Sequence, residues 1–104
     1  MAIMDISIVP IGTNKTSVSE YLVNAIKILQ EKGAKYHICP MGTVVEGEVN
    51  DLYDYARTMH EEVFCDIDVQ RVVVTIKIDD RRDIHAVTME KKVKSLGDKV
   101  RYKK

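Results

Sequence analysis

The sequence carries no surplus of either charge: 16 Lys and Arg balance 16 Asp and Glu over 104 residues. A general nucleic-acid binder needs excess cations to displace the counterions of the phosphate backbone, so nucleic acid is not an expected partner. Cysteine is scarce. Cys39 and Cys65 are too few for a disulfide scaffold and have no CxxC spacing, which leaves reduced thiols in a cytoplasmic protein as the expectation. No apolar run approaches the ~20 residues that cross a bilayer. Met1 to Gly12 has no basic region ahead of an apolar stretch, so neither a membrane partner nor a secretion signal is expected.

What is present fits one globular domain, residues 1–104. Met4, Ile6 and Ile8 alternate with Asp5 and Ser7, the period of a half-buried strand. Pro10-Ile11-Gly12-Thr13 supplies turn chemistry behind it. Ser17-Val18-Ser19-Glu20 reads as a capping box, and Val18, Leu22, Ala25 and Leu29 then recur at helical spacing up to Gly33, a glycine placed for a left-handed cap. A short strand over 35–39 turns through Pro40-Met41-Gly42 into a strand over 43–48. Val49, Leu52, Ala56, Met59 and Val63 stripe a second helix. Residues 71–79 alternate most cleanly, with Val72, Val74, Ile76 and Ile78 on one face. A last helix carries Met89, Val93, Leu96 and Val100, and its basic tail after Gly97 is expected to fray.

The order β-α-β-β-α-β-α is that of an α+β ferredoxin-like sandwich, βαββαβ, with an extra C-terminal helix. Right-handed crossovers put strands one and three in the centre, strand two beside three and strand four beside one. Both long helices then cover one face. The other is assigned Asp5, Ser7, Val9, Lys35, His37, Val45, Thr75 and Lys77, too apolar a mixture for a purely solvated surface. That points to a homo-oligomer.

Several functions of this fold fail on the residues. An RNA-binding version needs stacking aromatics on its central strands, and residues 3–11 and 43–48 contain none. A copper chaperone needs a CxxC after strand one. An acylphosphatase-like enzyme needs an arginine there, where only Lys15 is charged. His37, His60 and His85 have no ligand spacing, so no metal and no cofactor is expected, and no nucleophile–base pair supports catalysis.

Pro-x-Gly-Thr occurs twice, at Pro10–Thr13 and Pro40–Thr43. Either both are simple turns, or the two threonines meet at one end of the sheet beside Ser17 and the free amides of the first helix. Glu46 lies three residues beyond Thr43, about 10 Å at ~3.3 Å per residue. As a ligand carboxylate it would accept a hydrogen bond or neutralise a cation; as a structural group it would pair with Lys77 or Arg81. Thr13, Ser17, Thr43 and Glu46 are the candidate ligand-binding residues. Asp79-Asp80-Arg81-Arg82-Asp83 reads as a solvated ion-pair cluster, with a subunit contact or a lid as the alternative.

Val9–Thr13, Ser17–Ser19, Pro40–Gly47, Ile76–Asp83 and Met89–Ser95 together resemble the small thiamine-binding proteins related to YkoF, over nearly the whole chain. The Pro-Met-Gly-Thr-x-x-Glu-Gly stretch and the Ile-Asp-Asp-Arg-Arg run carry most of the likeness. The resemblance implies a ferredoxin-like fold and a homotetramer in which dimers pair their sheets. It also implies a small-molecule ligand, thiamine or its hydroxymethylpyrimidine half, without established catalysis. Glu48 is a poorer cap for the second helix than this family commonly has.

Overall fold

In the computed structural model, which describes residues 1–14, 19–84 and 88–102, the chain runs β1 (Ala2–Pro10), α1 (Ser19–Glu31), β2 (Lys35–Cys39), β3 (Gly42–Gly47), α2 (Val49–Val63), β4 (Val72–Asp80) and α3 (Met89–Tyr102). The sheet order is β2-β3-β1-β4, every pair antiparallel. This is the ferredoxin-like βαββαβ unit with a C-terminal helix. Ser17 and Val18 of the expected capping box, with Lys15 and His85, lie outside the described residues.

Alternation in β1 decides which face is the core. Ala2, Met4, Ile6 and Ile8 are buried together with Val45 of β3. α2 lays Leu52, Ala56, Met59 and Val63 against them, spacings of four, three and four that keep one stripe inward. Full burial of such a side chain contributes roughly 1.5–3 kcal/mol. α1 adds Tyr21, Ala25 and Leu29. It ends as its sequence foretells: Gly33 takes φ +68°, and the Gly33 and Ala34 amides donate to Gln30 and Leu29 carbonyls at 3.1 and 2.9 Å, the paired bonds of a Schellman cap. At the start of α2, Glu48 makes no side-chain capping bond.

The face away from α1 and α2 follows from the strand register. One row across it is Lys35, Glu46, Ile3 and Asp79; the next is His37, Val44, Asp5 and Lys77. Val45 is therefore not on this face, as the sequence reading had it. It pairs with Met4 and is fully buried in the core. Val44 and Val45 are equally apolar, so composition alone could not fix their parity; the β1–β3 register does.

α3 returns over this second face. Met89 is buried against Ile3, with Val44 beside them; Lys35 reaches Glu90 at 2.8 Å and Lys92 pairs with Asp79. Beyond that first turn the apolar side of the helix is exposed. Val93 and Leu96 are 73% and 65% exposed, and Val100 is exposed too. The helix nevertheless continues past Gly97 to Tyr102, where fraying was expected. One helical glycine costs only about 1 kcal/mol relative to alanine, and Asp98, Lys99 and Val100 continue the turn.

Candidate functional site

α1 meets α2 along much of its length and the sheet far less. The gap this leaves, closed at one end by the β2–β3 hairpin, is a cavity of about 610 Å³, within the range of small-ligand sites. Ile8, Ile26, Ile38 and Met41 wall it, with Met59 of α2 also lining it. Ile38 and Met41 are exposed, being the outer lip of a tight turn.

The polar groups here are few. Thr43 is 7% exposed and lines the cavity; its hydroxyl makes no hydrogen bond among the described residues. Ser19 and Gln30 are the other uncharged polar side chains; Ser7 and Cys39 border the cavity from strand positions whose side chains belong to the opposite sheet face. Lys27 is the single charged one among the described lining residues. Gly42 beside Thr43 is fixed by crowding: a Cβ there would stand 3.0 Å from the Ile6 carbonyl oxygen and 3.1 Å from an Asp5 carboxylate oxygen.

Thr13 and Glu46 are not among the residues that line this cavity. Thr43 lies opposite Ile6 and Glu46 opposite Ile3, an odd separation that sends the two side chains to opposite faces of the sheet. Their separation along the strand therefore does not bring the two side chains to one face. Thr13 follows Gly12, whose φ of +82° turns the chain. Because Thr43 pairs with Ile6, the two threonines are not cross-strand neighbours. Ser17 is outside the described residues; Ser19, on the same approach to α1, lines the cavity.

Glu46 belongs to a second, charged cluster. Its side chain is 2% exposed, and Lys35 Nζ stands 3.1 Å from Oε2. That distance is an ion pair, yet the ammonium is not aligned for a hydrogen bond and Oε2 is left without one. Lys35 also binds Glu90. Glu90 and then Glu46 hold the Lys35 ammonium above the usual lysine range, while Lys35 pulls the Glu90 carboxyl below its own. The expected partners Lys77 and Arg81 are not used: Arg81 pairs with Asp83, and Arg82 with Asp80 at 2.9 Å. The Asp-Asp-Arg-Arg-Asp run is thus an ion-pair cluster. Among the described residues no three potential metal ligands come together, and no helix is long and apolar enough to cross a membrane.

With this geometry in place, comparison with known proteins is informative. Residues 4–97 match the model of a family described as thiamine-binding protein. The chain belongs to the thiamine-binding protein family. Relatives in this family include the protein YqgV of Bacillus subtilis, 43% identical over 101 residues covering 93% of this chain and 95% of its own. A Staphylococcus xylosus protein from the glkA 3′ region is 39% identical over 92% of each chain. Among solved structures, the hypothetical protein MJ1052 of Methanocaldococcus jannaschii superposes with a TM-score of 0.81 at 35% identity, covering 92% of this chain and 95% of its own. A candidate thiamine biosynthesis/salvage protein of Thermotoga maritima, TM0486, gives 0.75 at 25% identity over 91% and 97%.

Sequence reasoning missed Lys27, Gln30, Ile38 and Met41. A signal for two of them existed. Val23, Lys27 and Gln30 recur at helical spacing beside the buried stripe of α1, the edge along which a helix borders any cleft.

Proposed function

We propose that the protein binds a small ligand of the thiamine type, thiamine or its hydroxymethylpyrimidine half, in the cavity between α1 and the β2–β3 hairpin. The observation that carries this reading is the Thr43 hydroxyl, free of hydrogen bonds and set among apolar walls of ring-sized dimensions. Apolar walls accept a flat heterocycle, and one directed hydroxyl orients it. Family membership supports the ligand class. In this reading the chain is a single cytoplasmic domain that holds the molecule without transforming it and needs no cofactor. Thr43 is its central contact, while Glu46 is on the opposite face of the sheet.

The same reading includes self-association as a homotetramer. The exposed Val9 and Val73 on the second sheet face and the exposed Val93, Leu96 and Val100 of α3 are apolar surface that a second copy could cover. Those surfaces also favour a second reading, a structural or regulatory homotetrameric module whose cavity takes a different small effector.

A thermal-shift screen with thiamine, hydroxymethylpyrimidine and the thiazole half separates the two. A ligand at ~100 times its dissociation constant stabilises by roughly 2.7 kcal/mol. A shift with thiamine or hydroxymethylpyrimidine is the expected result; no shift with any of the three at millimolar concentration overturns the ligand assignment.

A further inference from the structure

The electrostatics of the cavity narrow the ligand further, on the footing that the cavity is the ligand site. Its one charged lining residue among those described is a cation. Lys27 lies between Val23 and Gln30 on the same edge of α1, so the three side chains descend along the mouth of the cleft. Lys27 is exposed and takes part in no ion pair among the described residues. Glu31, four residues on, is not among the lining groups. No described carboxylate lines the cavity: Asp5 and Glu46 are on the opposite sheet face, and Glu46 is already paired with Lys35.

A quaternary thiazolium has no hydrogen-bond donor and asks only for a negative or aromatic neighbour. Here it would meet aliphatic side chains and an ammonium. A neutral aminopyrimidine has the opposite needs. Its ring is satisfied by apolar walls, and its nitrogens by the Thr43 hydroxyl and the Gln30 amide, which both donates and accepts. An anionic substituent on that ring would find Lys27 without an ion-pair partner among the described residues and able to make a charge-assisted bond at the mouth of the cleft.

We infer that the cavity selects an aminopyrimidine bearing a phosphate monoester, with Lys27 as the phosphate contact, and discriminates against the cationic thiazolium half. Two sources offer this chemistry: a phosphorylated hydroxymethylpyrimidine, and thiamine monophosphate, which brings the cation along with the phosphate. The structure favours the first.

The test is calorimetry on the intact protein with hydroxymethylpyrimidine, its monophosphate, thiamine, thiamine monophosphate and inorganic phosphate. Lys27→Met and Lys27→Arg are compared with the unaltered chain after each is shown to keep its oligomeric state. The pyrimidine monophosphate is expected to bind at least tenfold tighter than the unphosphorylated ring and than thiamine. That advantage is expected to vanish in Lys27→Met, to persist in Lys27→Arg and to shrink at high salt. Thiamine or thiamine monophosphate binding tighter than the pyrimidine monophosphate overturns the inference, as does a phosphate advantage that survives Lys27→Met. In either of those cases the cavity remains a thiamine-type site. If no pyrimidine compound binds, the ligand assignment itself falls and this inference falls with it.

Discussion

Thr43 and Glu46 sit three residues apart on β3 and face opposite sides of the sheet, Thr43 opposite Ile6 and Glu46 opposite Ile3. One lines an apolar cavity, and the other is buried beneath the first turn of α3 beside Lys35. The two residues therefore answer to different experiments.

Thr43→Val removes a hydroxyl at nearly constant volume. It is expected to weaken hydroxymethylpyrimidine binding about 3- to 10-fold, the loss of one neutral hydrogen bond at roughly 0.5–1.5 kcal/mol. Glu46→Gln is expected to leave that affinity unchanged, because the side chain is on the far face. Isothermal calorimetry on both variants checks the pair; equal losses would place the ligand elsewhere.

Glu46 matters instead to stability. Lys35→Met leaves a buried carboxylate without its counter-charge, and the melting temperature is expected to fall by several degrees. The double variant Lys35→Met/Glu46→Met removes both charges and is expected to recover most of that loss, since an unpaired buried charge costs more than no charge. A double variant no better than the single one would show that the pairing itself is not what matters.

The dependence on pH has a definite sign. Lys35 depresses the Glu90 carboxyl below its ordinary value of 4.5, so the unfolded chain binds that proton more tightly. The resulting stability is complete above about pH 4.5 and is lost as pH falls through the depressed value. Lys35, raised above 10.5 by Glu90 and Glu46, contributes fully below 10.5 and loses its share as pH rises through its raised value. Both groups are exposed enough for salt to screen them. Denaturation monitored by circular dichroism across pH, at low salt and at 1 M, is expected to show an acid limb that flattens with salt and in Lys35→Met.

Gly42→Ala tests the crowding beside Thr43. The new methyl would press on the Ile6 carbonyl of a central strand, which cannot move without disturbing two ladders. A destabilisation of about 1–3 kcal/mol is expected from chemical denaturation, in the range of overpacked sites.

Assembly is read from mass. Light scattering is expected to give four times the 11.9 kDa chain mass, and Leu96→Glu together with Val73→Lys to lower it. A monomer in the unaltered protein would remove the tetramer from the proposal.

Much of the fold was legible because its elements obey one period each. The 71–79 alternation, the stripe on α2 and the Gly33 cap all appear in the structure, and the element order with right-handed crossovers gives the strand order. The site was less legible, since a cavity arises from how α1 tilts between α2 and the hairpin, and no local pattern encodes a tilt. Tyr21 and Val69 are buried without belonging to any stripe named from the sequence. α3 is legible as an amphipathic helix, yet what its apolar side faces is not written in its own residues.

The parity of β3 has a further consequence for how this chain tolerates insertions and deletions. Adding or removing one residue between Gly42 and Glu46 would exchange the two faces of the strand. Val45 would be turned away from Met4, and the carboxylate of Glu46 would be driven toward the apolar layer of Leu52 and Met59. The hairpin can lengthen at Pro40-Met41, outside the ladder, without that exchange. A length change at the lip of the cavity thus alters what the cavity admits and leaves the sheet in register.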